Sequence, residues 1–334
     1  MNLIDISTRL QTEDQCLDFI EKVRWPDGKI RCVRCGNDKV SRITRTVNPN
    51  LERKEKKQNK RTRLYACLET TCNHRFTPTV GTLFHDSHLP LTKWFSAVAL
   101  IVHAKKGMSA LQMQRHLGIS YRTAWYMGHR IRKAMASGEG FIGGGQSGPQ
   151  VRVITPRKLK GTVEIDETYV GGKTIRKKER GNTKWQDKKA AVVGMIERGG
   201  ELRLRHVGTG NTTAAQVRPL LHELVDRNVD RVMTDESTIY PFAFDGYCAS
   251  KHETIAHKYE YVRGDVHTNT IESAFSLFKR GVTGSFHRVS HKHLQRYLFE
   301  FEYRFNRRTM PNLFADAVGQ MVSTPEMKYR DLVS

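Results

Sequence analysis

Four of the six cysteines fall into two close pairs, Cys32-x-x-Cys35 and Cys67-x4-Cys72, and this spacing constrains the fold more than any other feature of the chain. Two Cys-x₂₋₄-Cys knuckles supply four thiolates to one tetrahedral Zn²⁺, each about 2.3 Å from the metal. A redox Cys-x-x-Cys needs one pair only, so the second pair argues for a structural site. Gly36 and Asn73 follow the knuckles and suit tight turns, and Phe76 is placed to pack beneath them. His74, next to Cys72, is an alternative ligand. The reading is a zinc ribbon over 31–88, with too little core to fold without its metal. Cys16 and Cys248 stand apart and read as packing residues.

Disulfides are not expected, because the chain reads as intracellular. Its start, "MNLIDISTRLQTEDQCLDF", lacks the basic opening of a signal peptide. No apolar run reaches the ~18–20 residues that a membrane span requires. Charge then narrows the partners. The 334 residues hold 56 Lys+Arg against 34 Asp+Glu, a formal net charge of +22. Such an excess points to a polyanion, nucleic acid before membrane.

Punctuation along the chain suggests several parts. Residues 1–30 read as one N-terminal helix, with Ser7 and Thr8 as caps and a turn at Pro26-Asp27-Gly28. A basic insertion at 49–64 lengthens the ribbon and is either a solvated loop or a phosphate-binding one. Residues 89–136 read as helical, opening on an apolar stripe through Trp94, Val98, Ile101 and Val102. A short helix, a turn at Gly118 and a second helix capped by Ser120 follow, which is helix-turn-helix spacing. The Gly/Ser/Pro-rich stretch 137–160 reads as a linker. Residues 161–310 alternate as strand, hairpin at Gly199-Gly200, helix from about Thr212, short strand and helix, an α/β unit. Residues 311–334 read as a C-terminal tail.

Within that unit three acids stand in separate elements. Asp166 interrupts the apolar strand "VEIDETYV", sharing a face with Glu164 and Thr168. Asp235 follows "RVMT" at a strand end, and Glu272 lies on the later helix "NTIESAFSLFKRG" with Asn269, Ser276 and Lys279 near its face. Carboxylates converging from separate elements can hold two divalent ions that activate one oxygen and stabilise another during phosphoryl transfer. Taken singly, each acid is an ordinary edge, turn or surface residue. Their order matches a ribonuclease H-like fold.

At these residues the chain resembles the bacterial insertion-sequence transposases of the DDE type that carry an N-terminal zinc ribbon, the ISXO-like group. The matching stretches are "CVRCG", "CNHRFTPTVGTLFHDSHLPLTKWF", "GTVEIDETYVGGK", "TDES" and "HTNTIESAFSLFKRGVTGSFHRVSHKHLQRYLFEFEYRFNRR". The resemblance implies a ribonuclease H-like α/β core working with Mg²⁺ or Mn²⁺ on Asp166, Asp235 and Glu272. It assigns Lys279 to phosphate contact. In parts of the family an asparagine replaces the third acid. Asn269 is therefore held in reserve, although a carboxylate binds a divalent ion more strongly than an amide. Two departures stand out, the four-residue gap inside the second knuckle and the basic insertion.

The expected activity is binding of terminal inverted repeats, strand cleavage and transfer of the 3′-OH into target DNA by a protein at least dimeric on DNA and associated with the nucleoid. Arg122 and Arg130 are candidate base readers on the second helix, and Lys279 and Arg280 are further DNA contacts. The basic stretch "GGKTIRKKERGNTKWQDKK" after Asp166 is either a loop or a DNA-binding flap. Three other readings compete: a catalytically silent regulator derived from a transposase, a nuclease or resolvase on the same fold, and a zinc-ribbon factor that would leave the acids idle.

Overall fold

The computed structural model describes residues 3–43, 63–136, 157–171, 189–255 and 265–333, together with the backbone of two strands between 175 and 186. The basic insertion at 49–64 and the linker at 137–160 fall almost wholly outside the described residues, as do the side chains of the basic stretch after Asp166. The chain forms two compact units. One gathers Met1–Ala104, Met108–Thr155 and Met310–Ser334; the other gathers Lys105–Gly107 and Pro156–Thr309. Among the described residues no helix is long and apolar enough to cross a membrane.

In the first unit the N-terminal segment is two helices, where the sequence suggests one. They are α1 (Leu3–Arg9) and α2 (Glu13–Arg24). Ser7 and Thr8 are not caps; each hydroxyl donates back to the Ile4 carbonyl within α1. Thr12 caps α2 instead, in a capping box with Gln15. Short strands β1 (Val40–Arg42), β2 (Tyr65–Cys67) and β3 (Arg75–Phe76) form an antiparallel three-stranded sheet. Helix α3 (Leu91–His103) buries the predicted stripe of Trp94, Val98, Ile101 and Val102. Helices α4 (Ala110–Leu117) and α5 (Tyr121–Ala134) follow as read from the sequence. Gly118 takes the left-handed conformation that ends α4, at φ 58°, and the Ser120 hydroxyl accepts from the Thr123 amide at 3.2 Å to start α5.

The second unit is built on a five-stranded mixed sheet. Its centre is β4 (Thr162–Val170). The strands Ile175–Glu179 and Asn182–Gln186 pair as a separate antiparallel ribbon, β5 and β6. On one side β4 runs antiparallel to β7 (Ala190–Glu197), which turns at Gly199 into β8 (Leu202–Thr209). On the other it runs parallel to β9 (Arg231–Asp235), and β9 runs parallel to β10 (His252–Ile255).

Helices cover both sheet faces. Val163 and Ile165 pack with Val193 and Met195 against α6 (Ala214–Leu224) and α7 (Ile239–Phe244). Residues of opposite parity, Val192 and Ile196, pack against α8 (Asn269–Gly281) and α9 (His291–Asn306). The alternation of side chains along a strand produces this division.

The last residues are not a tail. Helix α10 (Leu313–Ser323) belongs to the first unit, where Phe314 meets Phe19 and Phe95 at ring-centroid distances of 5.7 and 5.6 Å. Six of its residues, among them Leu313, Ala317, Val318 and Met321, are buried. A period of three to four apolar positions in so short a segment is easily passed over as tail.

Gly194 lets α8 approach the sheet. It pairs with Asp166 across the β4–β7 ladder. A Cβ there would lie 2.6 Å from Phe275 Cζ and 2.8 Å from Ile271 Cδ1. We therefore expect Gly194→Val to cost about 1–3 kcal/mol by overpacking. Urea unfolding of the full chain checks this, and a variant as stable as wild type would show that α8 yields freely.

Candidate functional site

The two knuckles close on one point. Cys32 Sγ lies 3.8 Å from Cys72 Sγ, and Cys35 Sγ lies 3.6 Å from Cys67 Sγ. All four sulfurs lie within 4.8 Å of one another. A tetrahedral zinc with bonds of about 2.3 Å requires sulfur–sulfur edges of about 3.8 Å, so the four residues fit one zinc ion. The longer second knuckle is absorbed by a turn in which the Cys72 and Asn73 amides both donate to the Glu69 carbonyl, with Asn73 at φ 42°. Gly36 plays the same part after the first knuckle, at φ 77°. His74 is not in the cluster; its ring stacks on Phe76. Trp25, Tyr65 and Phe76 form the small apolar core around the buried Cys32 and Cys67.

In the second unit Asp166 and Glu272 face one cleft of about 600 Å³. Glu167, Thr168, Phe275, Ser276, Lys279, Arg280 and Thr283 complete its lining. Sheet register accounts for the first two acids. The β4–β9 ladder pairs Glu164 with Met233, so two residues further Asp235 comes abreast of Asp166. The Asp235 carboxylate accepts from the Ser237 amide at 3.1 Å, and that of Asp166 from the Glu167 amide at 2.7 Å. Burial, followed by the charges of Asp235, Glu167 and Glu272, pushes the Asp166 carboxyl up to about 7. Asp166 thus feels the charge of both other acids.

Glu272 sits in the first turn of α8, where its Oε1 accepts from the Thr268 hydroxyl at 3.0 Å. Asn269 is the exposed first residue of the same helix and is not part of the cleft lining. Ser276 and Lys279 extend the Glu272 face by one and two turns, as helical spacing of three and four requires. Arg280 Nε donates to the Ser276 carbonyl, leaving a second cation at the cleft edge.

The two arginines chosen on α5 differ. Arg122 is exposed, its guanidinium 4.8 Å from the Tyr329 ring centroid. Arg130 does not meet the expectation of a base reader. It is 5% exposed, and its Nη2 donates to the carbonyls of Leu83 and His85 beneath the Trp94 and Tyr126 rings. The inward side of α5 carries Ala124, Met127 and Ile131, and Arg130 falls among them.

In the sequence Glu164 stands out only as a neighbour of Asp166 on one strand face. The side chain is fully buried and bonds both to Arg198 and to the first amides of α8. Glu167 accepts from the buried Tyr240 hydroxyl on the opposite sheet face. The signal in the sequence is an acid flanked by the apolar Val163 and Ile165, which needs a partner once buried.

Two family models match the chain, and both describe transposases: residues 11–75 match a transposase zinc-ribbon domain, and residues 158–306 match an ISXO2-like transposase domain. The chain thus carries matches to two transposase domains, one over its ribbon and one over the second unit. A relative is an uncharacterized protein in transposable element ISH50 of Halobacterium salinarum, 29% identical over 309 residues, which cover 88% of this chain and 90% of that protein.

Zinc should be structural. Cys35→Ser is expected to lower bound zinc from one ion per chain toward none, measured by atomic emission on purified protein. Chelation of wild type should unfold the ribbon, reported by Trp25 fluorescence. Full zinc content in the serine variant would place the ion elsewhere.

Proposed function

We propose that this protein is a DNA transposase that cuts at the terminal inverted repeats of its element and joins the freed 3′-OH to target DNA. The observation that carries the proposal is that Asp166 on β4 and Glu272 on α8 face one cleft, with Asp235 on the adjacent strand β9 close enough for its charge to act on the Asp166 carboxyl. The strand order, β8-β7-β4-β9-β10 with only β7 antiparallel to its neighbours, supports a ribonuclease H-like core.

The carboxylates fit divalent cations. Burial, with the charges of the neighbouring acids after it, raises Asp166, and bound cations would relieve that cost. Asp166, Asp235 and Glu272 would hold Mg²⁺ or Mn²⁺, which would supply activation of the attacking oxygen and stabilisation of the leaving one.

The chain's own residues do the rest. Lys279 and Arg280 put positive charge at the cleft edge, where they hold the scissile phosphate and balance the charge of the pentacovalent transition state. Water attacks the phosphorus in line and the 3′-oxygen leaves as a hydroxyl. The same hydroxyl then attacks a target phosphate, displacing the target's 3′-oxygen. No bond to protein is formed. Asn269, outside the cleft lining, is a poorer third ligand than Glu272.

The ribbon and the α4–α5 pair, read as a helix-turn-helix, would bind the repeats, with Arg122 and the exposed Tyr121 at the start of α5 facing DNA. The net charge of +22 supports phosphate contact and a steep salt dependence. Joining two element ends to one target calls for at least two copies on the DNA.

The test is joining of a labelled duplex ending in the element's own repeat to a plasmid, with Mg²⁺ or Mn²⁺. Asp166→Asn, Asp235→Asn and Glu272→Gln should each forfeit several kcal/mol at the transition state, about 10³-fold in rate, with repeat binding retained. Binding without cleavage in wild type would reject the enzyme reading. Joining that survives Glu272→Gln but not Asn269→Ala would move the third ligand.

Arg122→Ala should weaken repeat binding about tenfold or more in a gel-shift titration, with reduced discrimination against unrelated duplex. Arg130→Ala should instead lower the unfolding temperature. The reverse pattern would refute this division of labour.

A further inference from the structure

Helix α8 carries the third acid but is not capped by its own N-terminal residue. Thr268 stands at the N-cap position, and its buried hydroxyl donates to Glu272 Oε1 at 3.0 Å rather than accepting from the helix. The amides of Thr270 and Ile271, which have no carbonyl partner within the helix, donate to Glu164 Oε2 at 2.8 and 3.0 Å. Glu164 Oε1 accepts from the Thr270 hydroxyl at 2.8 Å and from Arg198 Nε at 2.7 Å. The carboxylate that completes the helix therefore comes from the strand that holds the first acid, two residues before it.

Arg198 extends the tie to the segment leading into α8. Its guanidinium donates to the Asp265 carbonyl at 2.9 Å, to Asp265 Oδ1 at 2.8 Å and to the His267 carbonyl at 3.0 Å. Arg231, at the start of β9, donates to Asp265 Oδ2 at 3.0 Å. Strands β4 and β9, which carry Asp166 and Asp235, thus both hold the start of the helix that carries Glu272.

We infer that Glu164 is a positioning residue that sets the separation of Glu272 from Asp166 by clamping the first turn of α8 to β4. The inference rests on the proposed role of the three acids as metal ligands. Two features distinguish the clamp from ordinary core packing. A buried charge at this place is costly, and an apolar residue would fill the space with less penalty. The bonds also act at the very turn that carries Glu272, whose Oε1 the Thr268 hydroxyl holds from the same turn. Outer contacts of this kind typically govern metal affinity by 10–100-fold.

The test uses full-length, zinc-loaded protein: wild type, Glu164→Gln, Thr270→Val and Glu272→Gln. Glutamine keeps the shape of Glu164 but removes its charge and turns amide donors toward donors. Valine at 270 deletes only the hydroxyl bond, which keeps the test usable should Glu164→Gln fold poorly. Amide hydrogen exchange of the peptide spanning 265–278, without added divalent ion, reads the clamp directly. Electron paramagnetic resonance of free Mn²⁺ reads affinity, and joining rates across Mn²⁺ concentrations separate affinity from maximal rate.

The expected result is faster exchange confined to 265–278, Mn²⁺ binding weakened 10–100-fold in Glu164→Gln and less in Thr270→Val, and joining restored toward wild type at high Mn²⁺. Unchanged exchange would overturn the clamp. Faster exchange with unchanged Mn²⁺ affinity would overturn its positioning role. Should Glu272→Gln itself leave Mn²⁺ affinity intact, the ligand reading of Glu272 fails, and this outcome is distinct from a Glu164→Gln failure beside a weakened Glu272→Gln.

Discussion

The acidic cleft depends on β4 being hydrogen-bonded along both edges. Its antiparallel pairing with β7 runs from Val163 to Val170, and its parallel pairing with β9 covers Thr162 to Glu164. The parallel ladder stops where the acids begin, so the chain ends of β9 and the middle of β4 meet at the rim of the sheet. A ligand crevice at the carboxyl ends of parallel strands is a general feature of open α/β sheets. Here that geometry brings Asp166 and Asp235 together, and burial followed by the Asp235 charge raises the Asp166 carboxyl. Helix α8 closes the arrangement only because Gly194, beside Asp166, leaves space for Phe275 and Ile271.

The first unit solves a different problem. The ribbon has strands of two or three residues and an apolar core of a few side chains, well below what a free-standing domain needs. Four convergent thiolates offset the deficit by tying residues far apart in sequence to one ion. The helical part is sturdier. Its aromatic centre of Phe19, Phe95 and Phe314 draws on the beginning, middle and end of the chain. Arg130 belongs to this interior as a donor to two loop carbonyls, although its type and helix suggested a surface role.

Much of the local structure was legible because local chemistry decides it. Gly118 and Ser120 mark the turn between α4 and α5 through a left-handed backbone and a side-chain cap. Gly199-Gly200 marks the β7–β8 hairpin, and alternating apolar residues mark β4. The break at Thr12 was legible in principle, since its capping box with Gln15 lies in the sequence, but a continuous run of helix-compatible residues hides it. The burial of Arg130 and of the 311–334 segment is not legible in this way, because it depends on partners distant in sequence, here Leu83, His85, Phe19 and Phe95.

By itself the sequence determined which chemical groups exist and how they are spaced: four thiols in two knuckles, three acids in separate elements, a surplus of positive charge, and the likeness to two transposase domains. Tertiary structure decided which groups meet. The four sulfurs gather despite an enlarged second knuckle, since a tight turn at 69–73 absorbs the added length. Glu164 turns from an apparent strand-face acid into the cap of a helix more than a hundred residues later. No periodicity encodes such a bond. It exists because the fold brings an unpaired helix terminus to a buried carboxylate, and each satisfies what the other lacks.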